Sequence, residues 1–79
     1  MLTELNGSNK VVGAKQAKRA LNDGRAKKVF VAGDADPRVT QPLAQLAVDK
    51  RVHVELVPTM KELGAACGIS VGSAVAVLL

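Results

Sequence analysis

Aromatic side chains are nearly absent from this chain, whose 79 residues include one Phe, no Trp and no Tyr. That scarcity excludes a protein that binds single strands by stacking bases on rings, because it would have next to nothing to stack with. Cysteine is as scarce: a lone Cys67 excludes a disulfide framework and a thiolate metal cluster. No apolar run approaches the roughly 20 residues that a bilayer span needs, and the apolar Ala74–Leu79 is far too short. Met1–Lys10 is short and polar, unlike a signal peptide. Low-complexity stretches, internal repeats and linker-like segments are also missing. The expectation is a single domain over residues 1–79, in the reducing cytoplasm, with no membrane partner.

What is present is a hydrophobic fraction of 48%, which argues against disorder. With so few rings it consists of Val, Leu, Ile and Ala, which suits closely packed layers of helix and sheet. A chain of this length buries only about 60% of its unfolded surface, so the core is modest. Eleven Lys and Arg stand against seven Asp and Glu, a net charge of +4. A small basic protein favours polyanions, and nucleic acid is the commonest one in a cytoplasm. If RNA is the partner, the lack of rings means that shape and base edges in a folded RNA are what is read.

Along the chain, strand-like and helix-like segments alternate. Leu2–Leu5 suggests a short opening turn, Gly7-Ser8-Asn9 a loop, and Lys10–Val12 a brief strand ending at Gly13. Ala14–Asn22 reads as a helix stopped by Gly24, with Ala14, Ala17 and Leu21 as its apolar stripe and Lys15, Lys18, Arg19 and Asn22 opposite. Lys28–Ala32 is an almost unbroken apolar run, as expected of a strand covered on both faces. Gly33–Pro37 is a turn, after which Asp36-Pro37 or Thr40 could cap a helix placed at about residues 41–50. Val52–Val57 alternates as a strand does. Thr59 and Glu62 match a capping box, opening a short helix that ends near Cys67-Gly68. Ile69–Gly72 is a loop and Ala74–Leu78 the last strand. About four strands interleaved with helices make an α/β sandwich around a small mixed sheet.

Three segments invite chemistry. In Gly13-Ala14-Lys15-Gln16-Ala17-Lys18-Arg19, a glycine before a helix lets backbone approach a ligand, and the first-turn amides point towards an anion. Lys15 and Arg19, four apart, project with Gln16 from one end of that helix. Arg and Lys reach phosphates and guanine acceptors, and Gln both donates and accepts at a base edge. A merely solvated basic face explains the same spacing. In Ile69-Ser70-Val71, two aliphatics between Gly68 and Gly72 fit either a contact surface against an unstacked base or inward packing on the sheet. Asp34 and Asp36 invite a metal, but no third ligand lies near them in sequence, and turn and cap chemistry accounts for both. Cys67 reads as buried packing, and His53 lies on an alternating strand facing solvent or a neighbour. No dinucleotide fingerprint or P-loop is formed by the glycines. Neither a catalytic residue, nor a metal site, nor a cofactor is expected.

Three stretches taken in order, Val12–Gln16 running on to Ala20-Leu21, Val29–Pro37, and Leu63-Gly64 through Gly72, resemble the kink-turn-binding large-subunit ribosomal proteins of the seven-Ae and thirty-e type. Their short bacterial members are the most similar. The match runs from about Lys10 to Leu78. The resemblance implies a three-layer α/β/α sandwich with a four-stranded mixed sheet and a protein, associated with the ribosome, that binds structured RNA containing a kink-turn. A non-enzymatic monomer is expected because the sequence shows no enzyme motif and no second large apolar surface. A kink-turn is a duplex bent at a short bulge followed by tandem sheared G·A pairs. On this resemblance Gly13, Ala14, Lys15, Gln16, Lys18 and Arg19 meet the G·A pairs, while Ile69, Ser70 and Val71 cover a flipped-out bulge nucleotide. Lys27 and Lys28 join the neutralisation of phosphates crowded by the kink. Two departures stand out. Lys15-Gln16 replaces the Asn-Glu usual in archaeal and eukaryotic relatives, and a neutral amide accepts from guanine less strongly than a carboxylate. Gly33 stands where relatives often carry a charge. A protein–protein adaptor on the same fold, using the helix and the Ile69 loop, is the alternative.

Overall fold

Asp36 decides where the second helix begins. Its carboxylate accepts the Arg38 N–H at 2.9 Å, and Pro37 occupies the first helical position, where no donor is wanted. The helix therefore runs Pro37–Asp49, four residues earlier than the residues 41–50 expected from sequence, with Pro42 inside it and Thr40 buried rather than capping. A computed structural model describes residues 9–79, so the turn expected at Leu2–Leu5 and the start of the Gly7–Asn9 loop lie outside the described residues. In chain order the elements are β1 (Lys10–Val12), α1 (Ala14–Asn22), β2 (Lys28–Ala32), α2 (Pro37–Asp49), β3 (His53–Val57), α3 (Met60–Ala66) and β4 (Val75–Leu78). The strands at 53–57 and 75–78 each start one residue later than the alternation suggested.

The sheet order is β1-β4-β2-β3, with β4 antiparallel to both β1 and β2, and β3 parallel to β2. β1, β2 and β3 thus point the same way, and the sheet has two distinct ends. Alternation along each strand divides the core. Val29 and Val31 of β2 and Val75 and Val77 of β4 face α1 and α2, where Ala17, Ala20, Leu21, Leu43 and Ala47 meet them. Phe30, Ala32, Ala76 and Val57 face α3, which contributes Leu63 and Cys67. Helices cover both faces, giving the three-layer α/β/α sandwich around a four-stranded mixed sheet. Burial pushes the Cys67 thiol above its ordinary pKa, as suits a packed side chain.

All three helices end in the same way. Past each C-cap, the next two amides reach back to close the last turn: Gly24 to Leu21 and Arg25 to Ala20, Arg51 to Val48 and Val52 to Ala47, Gly68 to Ala65 and Ile69 to Gly64. The geometry needs a positive φ at the first of each pair, and Gly24 and Gly68 adopt it freely. Arg51 adopts it too, at φ 60°, with a Cβ that opposes it. Replacing Arg51 by Gly should therefore raise stability by about 0.5–1 kcal/mol, the left-handed penalty less the added chain entropy of glycine. A urea midpoint that stays put or falls would show that the Arg51 side chain makes contacts that offset its backbone.

Candidate nucleic-acid interface

At the carboxyl ends of β1, β2 and β3, the chain gathers the segments singled out in its sequence. Gly13 leaves β1 at φ 102°, a conformation that L side chains rarely adopt, and its N–H donates to the Val75 carbonyl at 2.9 Å. It then serves as N-cap of α1 with no side chain to offer. The first amide bonded within the helix is that of Ala17, to the Gly13 carbonyl at 2.9 Å. The amides of Ala14, Lys15 and Gln16 therefore point outward at the positive end of the helix dipole, with no carboxylate in that first turn. Ala17 and Ala20 turn into the core, which leaves Lys15, Gln16, Lys18 and Arg19 exposed on the outer side.

The loop after α3 lies beside this helix start. The Val75 carbonyl that accepts from Gly13 also accepts from the buried Ser73 hydroxyl at 2.8 Å, so one oxygen joins the α1 entrance to the end of the loop. Ser73 N–H further donates to the Met60 carbonyl at 3.1 Å, and Ile69 N–H to that of Gly64. Held at both ends, the loop turns Ile69 and Val71 outward, 36% and 69% exposed, with Ser70 between them on the surface. Neither aliphatic packs inward on the sheet.

Asp34 and Asp36 act as caps. The Asp34 carboxylate accepts the Met60 N–H at 2.7 Å, beside the Thr59 hydroxyl that accepts the Glu62 N–H at 3.1 Å. Asp36, besides capping α2, holds the Arg38 guanidinium at 2.7 Å, and this fork lowers the pKa of Asp36 and raises that of Arg38. Both are exposed, so the pair adds little stability. Arg38 is a residue the sequence reading missed. It lines an open groove of about 440 Å³ between α1 and α2, together with Lys15 and Lys18 of α1 and Val39, Pro42, Leu43 and Leu46 of α2. The signal was available: taking Asp36-Pro37 as the cap places Arg38 in the first turn of α2.

Lys28 does not join this site. It begins β2, at the opposite end of the sheet, where its neighbours in register are Leu78 and His53. Its ammonium meets Glu55 at 2.8 Å and lies 5.1 Å from the Phe30 ring centroid. The Lys28 ammonium accounts for most of the lowering of the Glu55 carboxyl pKa. His53 is exposed. Among the described residues no group of three or more His, Cys, Asp or Glu could hold a metal ion, and no helix is long and apolar enough to cross a membrane.

Comparison with known proteins places this geometry. A family model described as the ribosomal protein L7Ae/L30e/S12e/Gadd45 family matches residues 3–79. A protein of Bacillus pumilus named RNA-binding protein is 46% identical over 70 residues, covering 87% of this chain and 85% of its own. The large ribosomal subunit protein eL8 of Halobacterium salinarum is 40% identical over 68 residues, covering 85% of this chain and 57% of its own. Among solved structures, the 15.5kD RNA binding protein of Giardia lamblia superposes with a TM-score of 0.88 at 31% identity, covering 98% of this chain and 67% of that one.

Proposed function

Because the chain belongs to the ribosomal protein L7Ae/L30e/S12e/Gadd45 family, we propose that it is a non-enzymatic RNA-binding protein of the cytoplasm that recognises and stabilises kink-turns. It acts as a single copy and in association with the ribosome, a setting supported by its likeness to a large-subunit protein. The observation that carries the reading is the Val75 carbonyl, which sets a cationic, amide-rich helix start directly beside an outward-facing aliphatic loop. A kink-turn offers the complementary pair of features: guanine edges and crowded phosphates next to an unstacked base.

In this reading the Lys15 and Gln16 side chains and the first-turn amides of α1 meet the sheared G·A pairs. Lys18 and Arg19 neutralise phosphates, and Ile69 and Val71 pack on the flipped-out base, with Ser70 available to its polar edge. No ring is needed, because an aliphatic wedge suffices against one unstacked base. The protein works by binding the bent conformer better than the extended one, so it shifts the population towards the bend. With Lys15-Gln16 in place of Asn-Glu and its single carboxylate, more of the affinity rests on phosphate charge, and binding is correspondingly salt-sensitive.

The test is a titration against a kink-turn RNA and against the same RNA with its sheared pairs replaced by Watson–Crick pairs. Tight binding to the first alone is expected. Lys15→Ala should cost about 1–3 kcal/mol and narrow the preference, while Arg19→Ala should weaken both RNAs and lower the salt slope by about 0.9. Equal, weak binding to both RNAs would defeat the kink-turn reading. Affinity for a protein partner through the exposed Ile69 loop, insensitive to salt, would favour the adaptor.

A further inference from the structure

α1 and α2 pack side by side on one face of the sheet, while α3, from which the Ile69–Val71 loop emerges, covers the opposite face. The groove between α1 and α2 is thus separate from the aliphatic loop, although both border the start of α1. Lys15 and Lys18 line it from α1 and Arg38 from α2, and the rest of its lining is apolar, with Val39 and Pro42 on the surface. At about 440 Å³ and open to solvent, it has the size of a small-ligand site. Lys15 and Lys18 are exposed, and among the described residues no ion pair holds either of them. Their charge is available to an anion.

Arg38 differs from these lysines in being held. Its Nε donates to both carboxylate oxygens of Asp36, at 3.2 and 3.0 Å, and its Nη2 donates to Oδ2 at 2.7 Å. Asp36 is itself anchored, because the same carboxylate caps α2 through the Arg38 amide. The fork fixes the plane of the guanidinium, and the side chain still stands 90% exposed. A guanidinium fixed in plane and open on its faces is a stacking surface for an RNA base. No Phe, Tyr or Trp ring competes for that role, since Phe30 is the only one in the chain and is wholly buried. Lysines for a phosphate, an apolar wall for a ribose and a flat cation for a base meet in one groove. An acidic peptide is served less well, because Asp36 already fills the Nε–Nη2 edge through which Arg38 would take a carboxylate.

We infer that the α1–α2 groove is a subsite for an unpaired nucleotide of the bound RNA, with its base on the Arg38 plane and its phosphate at Lys15 and Lys18. The subsite rests on the reading of the α1 start as an RNA interface, and it adds a nucleotide beyond the one given to Ile69 and Val71. Lys15 belongs to both places, so the nucleotide in the groove continues a strand already met at the helix start.

The experiment uses kink-turn RNAs that are blunt or carry a short single-stranded tail, with the stem beyond the sheared pairs shortened one pair at a time. The quantity read is the affinity of tailed over blunt RNA at the same stem length, so changes in the shared contacts cancel. At the length that brings the tail over the groove, the tail should raise affinity about fivefold or more, and an abasic tail should not. Arg38→Ala should erase the gain. Arg38→Lys, which keeps the charge and gives up the plane, should erase most of it. A tail that adds nothing at any stem length, an abasic tail that adds as much, or an Arg38→Lys variant that keeps the gain overturns the inference. An acidic amphipathic peptide bound through Arg38, with no gain from any tail, assigns the groove to a protein instead. If RNA with Watson–Crick pairs in place of the sheared ones binds as well and its tail still adds affinity, the kink-turn reading falls and the subsite stands. If kink-turn RNA alone binds and no tail helps, the subsite falls by itself.

Discussion

Phe30→Ala is expected to cost about 4 kcal/mol and to leave little folded protein at physiological temperature. Phe30 is the single aromatic residue of the chain, wholly buried, and the largest of the fully buried side chains. It stands on the central β2 strand facing α3, in a cluster where alanines (Ala32, Ala35, Ala66, Ala76) alternate with Val57, Leu63 and Met60. The alanines cannot reach into the space a ring leaves and Leu63 and Val57 are already fully packed, so a cavity persists and the cost lies in the upper range for such truncations. A chain of this size has roughly 4–12 kcal/mol of stability in all, at about 0.05–0.15 per residue. Urea unfolding followed by circular dichroism measures the loss, and Phe30→Leu should recover part of it. A loss below about 1 kcal/mol for the alanine would mean that the α3 layer closes down on the strand.

Gly64→Ala is the second large effect, and it runs against local preference. Gly64 sits inside α3, where alanine would ordinarily gain close to 1 kcal/mol. Here a Cβ would be driven into the Val71 carbonyl, with Gly72 Cα only 3.1 Å away, and these are backbone atoms that cannot rotate aside. The substitution should destabilise by about 3 kcal/mol, or else push the loop bearing Ile69 and Val71 out of place. Paired measurements separate the two: a lower urea midpoint with RNA affinity kept, or a kept midpoint with affinity lost. A variant more stable than the parent that binds RNA as well would mean that the loop does not rest on the helix.

The elements were largely legible from the residues, and for physical reasons. Gly24 and Gly68 supply the positive φ that ends α1 and α3, Thr59 caps as its spacing indicated, and the apolar run around Phe30 is the central strand. The start of α2 was not legible, because Asp36 and Thr40 are both good caps. The choice fell to Thr40 being wanted in the core between α2 and the sheet. For the site, Gly13–Arg19 and Ile69–Val71 were found as separate segments. That both are tied to the Val75 carbonyl depends on β4 lying between β1 and β2, which no local pattern reveals. The same ignorance of strand order put Lys28 in their company. It sits at the other end of strands that run only five residues. The exposure of Ile69 and Val71, open in the sequence, follows from Gly64 and Gly72 letting the loop backbone lie flat on α3.

The central place of β4 also bears on how the molecule comes into being. β1 and β2 have no hydrogen bonds to each other; each pairs with the strand formed by Val75–Leu78. During synthesis the chain up to β3 can make helices and the parallel β2–β3 pair, but the sheet stays divided until β4 slides into the gap. Both halves of the candidate site hang on that insertion through the Val75 carbonyl. A nascent chain short of those residues would have neither half in position, so the site is assembled all at once, when Val75–Leu78 takes its place in the sheet.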